Sequence, residues 1–178
     1  MDKHGYSDEL ANIVKNFLIE DDWNFSFDES IGLFNFELKV QRKIQRINYL
    51  VDIHKDEIVV YGLCPIGADR NDADMMARMA EFLCRVNYDI PNGCFEFDFR
   101  DGEIRFRSYI DCENTVPSKE VIRNSIFSTA IMYGYYASGI ADIIFSDCTA
   151  KEAIAKCEKF FENEDEVYGE EKERSNEE

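Results

Sequence analysis

The chain has 178 residues, 45% of them hydrophobic, including 14 Phe and 9 Tyr. That is enough apolar surface for one domain with a sizeable core, and too much for a disordered chain. Its 37 acids against 20 bases give a net charge of -17. Such a surface repels phosphate backbones and anionic lipid, which disfavours nucleic-acid and membrane-surface binding and permits a basic or apolar protein partner.

The opening "MDKHGYSDELANIV" holds no apolar run and no small-residue cleavage site, so no signal peptide is expected and a cytoplasmic location is. Ser7 reads as the N-cap of a first helix, with Asp8 and Glu9 at its positive end. Leu10, Ile13, Val14, Phe17 and Leu18 make its apolar stripe, and "EDDW" ends it near residue 21. Four strands follow at 23–29, 32–40, 46–53 and 57–63, alternating apolar and polar residues as an antiparallel meander with one buried face.

Asn71 or Asp72 caps a second helix whose inward side is Met75, Met76, Met79, Phe82, Leu83 and Val86, with Asn87 near its end. Methionines at helical spacing are core filling first and an adaptable binding surface second. Pro117 and Ser118 open a long third helix to about Phe145. Its apolar stretch 126–145 is long enough to raise the membrane question, but Asp142 inside it argues against spanning. Thr149 with Glu152 is a capping box for a last helix through Phe161. Residues 162–178 carry nine acids and two bases with almost nothing to bury, so residues 1–161 form one domain and 162–178 an acidic, disordered tail.

The stretch "NGCFEFDFRDGEIRFRSYI" (92–110) packs four acids and three arginines between aromatics. Asp101-Gly102 reads as a type I′ hairpin turn, which sets Arg100 opposite Glu103, Asp98 opposite Arg105 and Glu96 opposite Arg107. The other side then pairs Phe99 with Ile104 and Phe97 with Phe106. Three opposite-sign pairs on a wet face make a strand pair, not a reaction centre. A catalytic acid needs surroundings that raise its pKa, and arginines do the reverse.

Other chemistry is thinly represented. Only His4 and His54 exist, and neither comes with a nucleophile motif. Six cysteines (64, 84, 94, 112, 148 and 157) lie without a C-x-x-C pair, which points to reduced, mostly buried thiols and away from zinc, and with no Walker loop and no G-x-G-x-x-G no cofactor is expected. Cys148, just ahead of the Thr149 cap, is the one candidate reactive thiol, since helix-end N–H groups lower a thiol pKa. Buried and inert is its blander reading. The third helix is apolar nearly all round, so Met132, Tyr133, Tyr136 and Ile140 are the candidate partner or homodimer surface, with Gly134 and Gly139 allowing close approach.

The residues "WNFSFDE", "MARMAEFLCRVNYDIPNGCFEFDFRDGEIRFRSYID" and "VPSKEVIRNSIFSTAIMYGYYASGI" together resemble the YbjN family of bacterial proteins, described as sensory-transduction regulators and similar in fold to type III secretion chaperones. The resemblance spans most of residues 8–160 and carries no catalytic signature. It implies a cytoplasmic, often dimeric domain that binds other proteins. The expected fold is α+β: an antiparallel sheet with helices packed on one face, in the order α-β-β-β-β-α-β-β-α-α. The expected function is non-enzymatic, protein-binding or regulatory, and chaperone-like. The alternatives are a small-molecule sensor with its pocket between the second helix and the sheet, or an uncharacterised enzyme.

Overall fold

A computed structural model describes residues 5–40 and 44–159. The elements run α1 (Asp8–Glu20), β1 (Phe25–Asp28), β2 (Leu33–Lys39), β3 (Arg46–Ile53), β4 (Glu57–Leu63), α2 (Ala73–Tyr88), β5 (Cys94–Phe97), β6 (Ile104–Asp111) and α3 (Lys119–Phe145). A last helix, α4, occupies 150–159. The six strands form one antiparallel sheet in the order β1-β2-β3-β4-β6-β5, with the helices on one face. The expected α+β architecture and element order are therefore those observed. His4, residues 160–161 and the acidic tail lie outside the described residues.

Local chemistry explains the boundaries. Ser7 accepts from the Leu10 N–H, and Asp72, not Asn71, caps α2 by accepting from Asp74 and Met75. Thr149 and Glu152 form the reciprocal pair of a capping box at α4, with hydrogen bonds of 2.9 and 3.3 Å. Trp23 does not begin a strand. Asp22 takes a left-handed φ of 57°, and the Trp23 N–H reaches back 2.9 Å to the Leu18 carbonyl, so Trp23 terminates α1 and β1 starts only at Phe25. Its indole packs edge-on against Phe36 and Phe127.

The core lies between sheet and helices. Phe34, Phe36, Ile47, Tyr49, Val51, Ile58, Val60 and Phe106 point into it from the strands. Val14, Phe17, Leu18, Met79, Phe82, Ile122, Ile126 and Ile140 meet them from the helices. α3 crosses the sheet closely because β4 has Gly62 beneath it: a Cβ there would fall 2.2 Å from Thr129 Cγ2. Several polar groups buried along this crossing are partnered, although among the described residues the buried Thr129 hydroxyl is not. Tyr49 donates to the Ile126 carbonyl (2.9 Å), Tyr133 to the Gly62 carbonyl (2.8 Å), and the Ser108 and Ser125 hydroxyls meet at 2.6 Å. Burial raises the pKa of both tyrosines, so they act there as neutral donors.

Candidate functional site

The hairpin quoted above is a strand pair, but its register is not the expected one. Phe97 pairs with Ile104, Glu96 with Arg105, Phe95 with Phe106 and Cys94 with Arg107, two residues away from the type I′ alignment. A type I′ turn requires positive φ at both central residues. Gly102 has φ 82° but Asp101 does not share it. Instead Phe99 to Gly102 form a four-residue loop, closed by Gly102 N–H to the Asp98 carbonyl (2.8 Å) and Asp98 N–H to the Glu103 carbonyl (3.0 Å). Asp98 and Asp101 each accept from the backbone N–H two residues on, which holds the loop locally. Gly102 is also pinned from outside: its carbonyl accepts from the Ala68 N–H (3.0 Å), and a Cβ on it would fall 1.9 Å from the Ala68 oxygen.

The charges regroup accordingly. Glu96 accepts from both Arg105 (2.7 Å) and Arg107 (2.6 Å), while Asp98 binds its near neighbour Arg100. Burial pushes the Glu96 carboxyl up, but the two arginine hydrogen bonds outweigh it and the pKa falls below the usual range. Hydrogen bonds from the Arg100 side chain and backbone hold Asp98 at about 2. Both stay ionised, so neither is suited to general-acid work. Arg105 also stacks 4.4 Å over the Tyr61 ring. Phe99, expected to face Ile104, is 64% exposed at the loop tip.

These groups belong to the sheet face opposite the helices. The register places Leu50 beside Tyr61, Val59 beside Tyr109, and Leu63 beside Arg105 on that face. Leu50, Tyr61 and Leu63 are half-buried, and Tyr109 is 44% exposed. The result is an apolar centre flanked by two arginines that share one carboxylate. Two clefts open at its β5–β6 margin. One of about 640 Å³ is lined by Glu96, Phe97, Arg100 and Arg105 among others, and one of about 240 Å³ by Asn92, Gly93, Cys94, Arg107 and Tyr109.

The expected partner surface on α3 is placed differently. Tyr133 and Ile140 are 0% exposed within this single chain, so they cannot meet a partner. Met132 and Tyr136 are half-buried against the core. An all-apolar helix has no intrinsic outside, and here sheet, α1, α2 and α4 take most of its surface. The space between α2 and the sheet is likewise filled, with Met76, Met79, Phe82, Leu83 and Val86 all buried. Cys148 is buried, and its sulfur lies 3.8 Å from Lys156 Nζ, whose main partner is Asp142 at 2.9 Å. His54 sits at the β3–β4 turn, 3.3 Å from Asp52 and nearly half exposed. Among the described residues no three His, Cys, Asp or Glu side chains gather as metal ligands, and no helix is long and apolar enough to cross a membrane.

One structural contact escaped the sequence reading. Asn87 turns its carboxamide to the outer edge of β5, where its Oδ1 accepts from the Phe95 N–H (2.7 Å) and its Nδ2 donates to the Phe95 carbonyl (2.8 Å). Its position at the end of α2 was visible; its partner was not.

The fold is similar to that of YbjN. The crystal structure of YbjN from E. coli superposes with a TM-score of 0.51 at 10% identity, covering 68% of this chain and 86% of that one. An uncharacterized protein from Methanothermobacter thermautotrophicus gives a TM-score of 0.50 at 16% identity, over 75% of this chain and 97% of that one. A chain of the ExoT–SpcS complex from Pseudomonas aeruginosa gives 0.44 at 10% identity, over 72% of this chain and 96% of that one. No sequence profile of a protein family matches the chain, and no curated protein does. The likeness to YbjN is thus one of structure, and it concerns the fold.

Proposed function

We propose that this chain is a non-enzymatic protein-binding domain that engages its partner through the uncovered face of its sheet. The observation that carries the reading is the Leu50, Tyr61, Leu63 and Tyr109 centre, which among the described residues no helix covers. Aromatic residues and arginine are the side chains most often dominant in protein interfaces, and Tyr61, Tyr109, Arg105 and Arg107 supply them together. The ionised state of Glu96 keeps the two part-exposed arginines oriented, as donors for the carbonyl groups of a partner. The fold similarity to YbjN and the cytoplasmic, regulatory role expected for that family agree with a binding domain.

The test compares immobilised wild-type chain with two variants in capture from lysate. Tyr61→Glu places a charge in the apolar centre, and Ile131→Lys changes an exposed residue of α3 on the opposite side. A specific protein held by the wild type and by Ile131→Lys, but lost with Tyr61→Glu, supports the reading. Equal retention by both variants, with Tyr61→Glu shown folded by circular dichroism, overturns it.

A further inference from the structure

The two edges of the sheet are treated differently. Backbone bonds between Ile53 N–H and the Gly32 carbonyl, and between Val40 N–H and the Gln45 carbonyl, show that even-numbered residues of β2 face β3. Odd-numbered residues therefore face β1, and their partners there are Ser26 and Asp28. Phe25 and Phe27 consequently turn their N–H and C=O groups outward. At the far edge the outward groups of Phe95 are both taken by Asn87. Among the described residues nothing takes those of Phe25 and Phe27. An edge of this kind is a template for another strand unless it is blocked.

We infer that β1 pairs antiparallel with β1 of a second copy, about a two-fold axis at Ser26, joining two six-stranded sheets into one. The sequence is self-complementary in this register. Phe25 falls opposite the partner's Phe27 and the reverse, so the outward groups of both exchange backbone hydrogen bonds. Both rings lie on the helix-covered face, already half-buried and packed on Phe34, and each gains an aromatic cross-strand neighbour. Ser26 meets the partner's Ser26 on the open face, where it is exposed. The acids avoid one another: Asp28 falls opposite Asn24, and Glu29 opposite Trp23. No two acids fall directly opposite one another, and the repulsion between the acids that flank each strand, like that of the net -17 of each chain, is screened by salt over about 8 Å at physiological ionic strength. An axis midway between two residues would place outward-facing groups opposite inward-facing ones; among the axes that the pleat allows, the one at Ser26 lies at the middle of the strand and sets Phe25 against Phe27 on both sides. The inference does not depend on what the open sheet face binds.

The test exploits the symmetry axis. Ser26→Cys brings two thiols directly opposite each other, whereas Asn35→Cys, also exposed and beside Ser26 on β2, lies one strand away from the axis. Under mild oxidation Ser26→Cys should give a covalent dimer on a non-reducing gel, with the peptide spanning position 26 linked to itself, and Asn35→Cys should not. Light scattering should give twice the chain mass for the wild type and the single-chain mass for Ser26→Lys, which sets two ammonium groups face to face. A wild type that stays monomeric at 100 µM, a dimer untouched by Ser26→Lys, or equal cross-linking of the two cysteine variants would each overturn the inference.

Discussion

The Asn87 carboxamide and the Phe95 peptide group exchange two hydrogen bonds, so a helix side chain plays the part of a missing seventh strand. The bonds are made at a residue that is buried, where unsatisfied backbone groups are costly. Asn87→Ala leaves a buried donor and a buried acceptor without partners. The expected loss of stability is about 1–3 kcal/mol by denaturant titration, with faster hydrogen exchange at the Phe95 amide. Unchanged exchange there would show that water replaces the carboxamide without cost.

Glu96 carries a pH signature. Its folded pKa lies below the ordinary carboxylate value, because the bonds from Arg105 and Arg107 outweigh burial. A depressed carboxylate contributes stability above its unfolded pKa and loses it as pH falls through the folded pKa. Glu96→Gln should therefore lower the melting temperature at pH 7, and the gap to wild type should close as pH falls below about 4. Melting curves from pH 7 to 3 read this directly; a gap that widens in acid would contradict the assignment.

Gly62 sets how closely α3 approaches the sheet. Gly62→Ala adds a methyl that would fall 2.2 Å from Thr129 Cγ2 and 3.0 Å from Ile47. The expected cost is about 1–3 kcal/mol from overpacking. Adding Thr129→Ser removes the nearer methyl and should restore part of the loss, a coupling that a double-mutant cycle measures. Simple additivity of the two changes would rule out this contact as the cause.

The thiols should separate by environment. Cys84 is exposed, whereas burial raises the Cys64 thiol to about 11 and pushes those of Cys112 and Cys157 up as well. Iodoacetamide at pH 7 should alkylate Cys84 first and leave Cys64, Cys112 and Cys157 until unfolding, since the thiolate is the reacting form. Peptide mass spectrometry follows the order. Cys64 reacting as fast as Cys84 would contradict it.

The legible parts of the fold were those encoded by near neighbours in the chain. The caps at Ser7, Ser118 and Thr149 act over three residues, and each formed where its side chain required. At Trp23 two local signals competed, and the helix stop at Asp22 won over strand alternation because the Leu18 carbonyl needed a donor. The candidate site was legible only in part. Glu96, Arg105 and Arg107 stood out as charged residues in a strand pair, but the sheet face they share with Leu50, Tyr61 and Tyr109 depends on which strands lie side by side.

The hairpin shows where local information stops. Alternation alone settled which face each residue of β5 and β6 would occupy, and a two-residue register shift left every one of those faces unchanged, because side chains repeat with period two. The loop that sets which residues oppose one another is held locally by Asp98 and Asp101 and from outside by Ala68, a distant backbone group that pins Gly102. The same division holds for α3. Its sequence established a buried helix, while Tyr133 and Ile140 became core and not surface only because sheet and neighbouring helices closed over them. Periodicity encodes direction along one element; cover comes from elements far away in the chain.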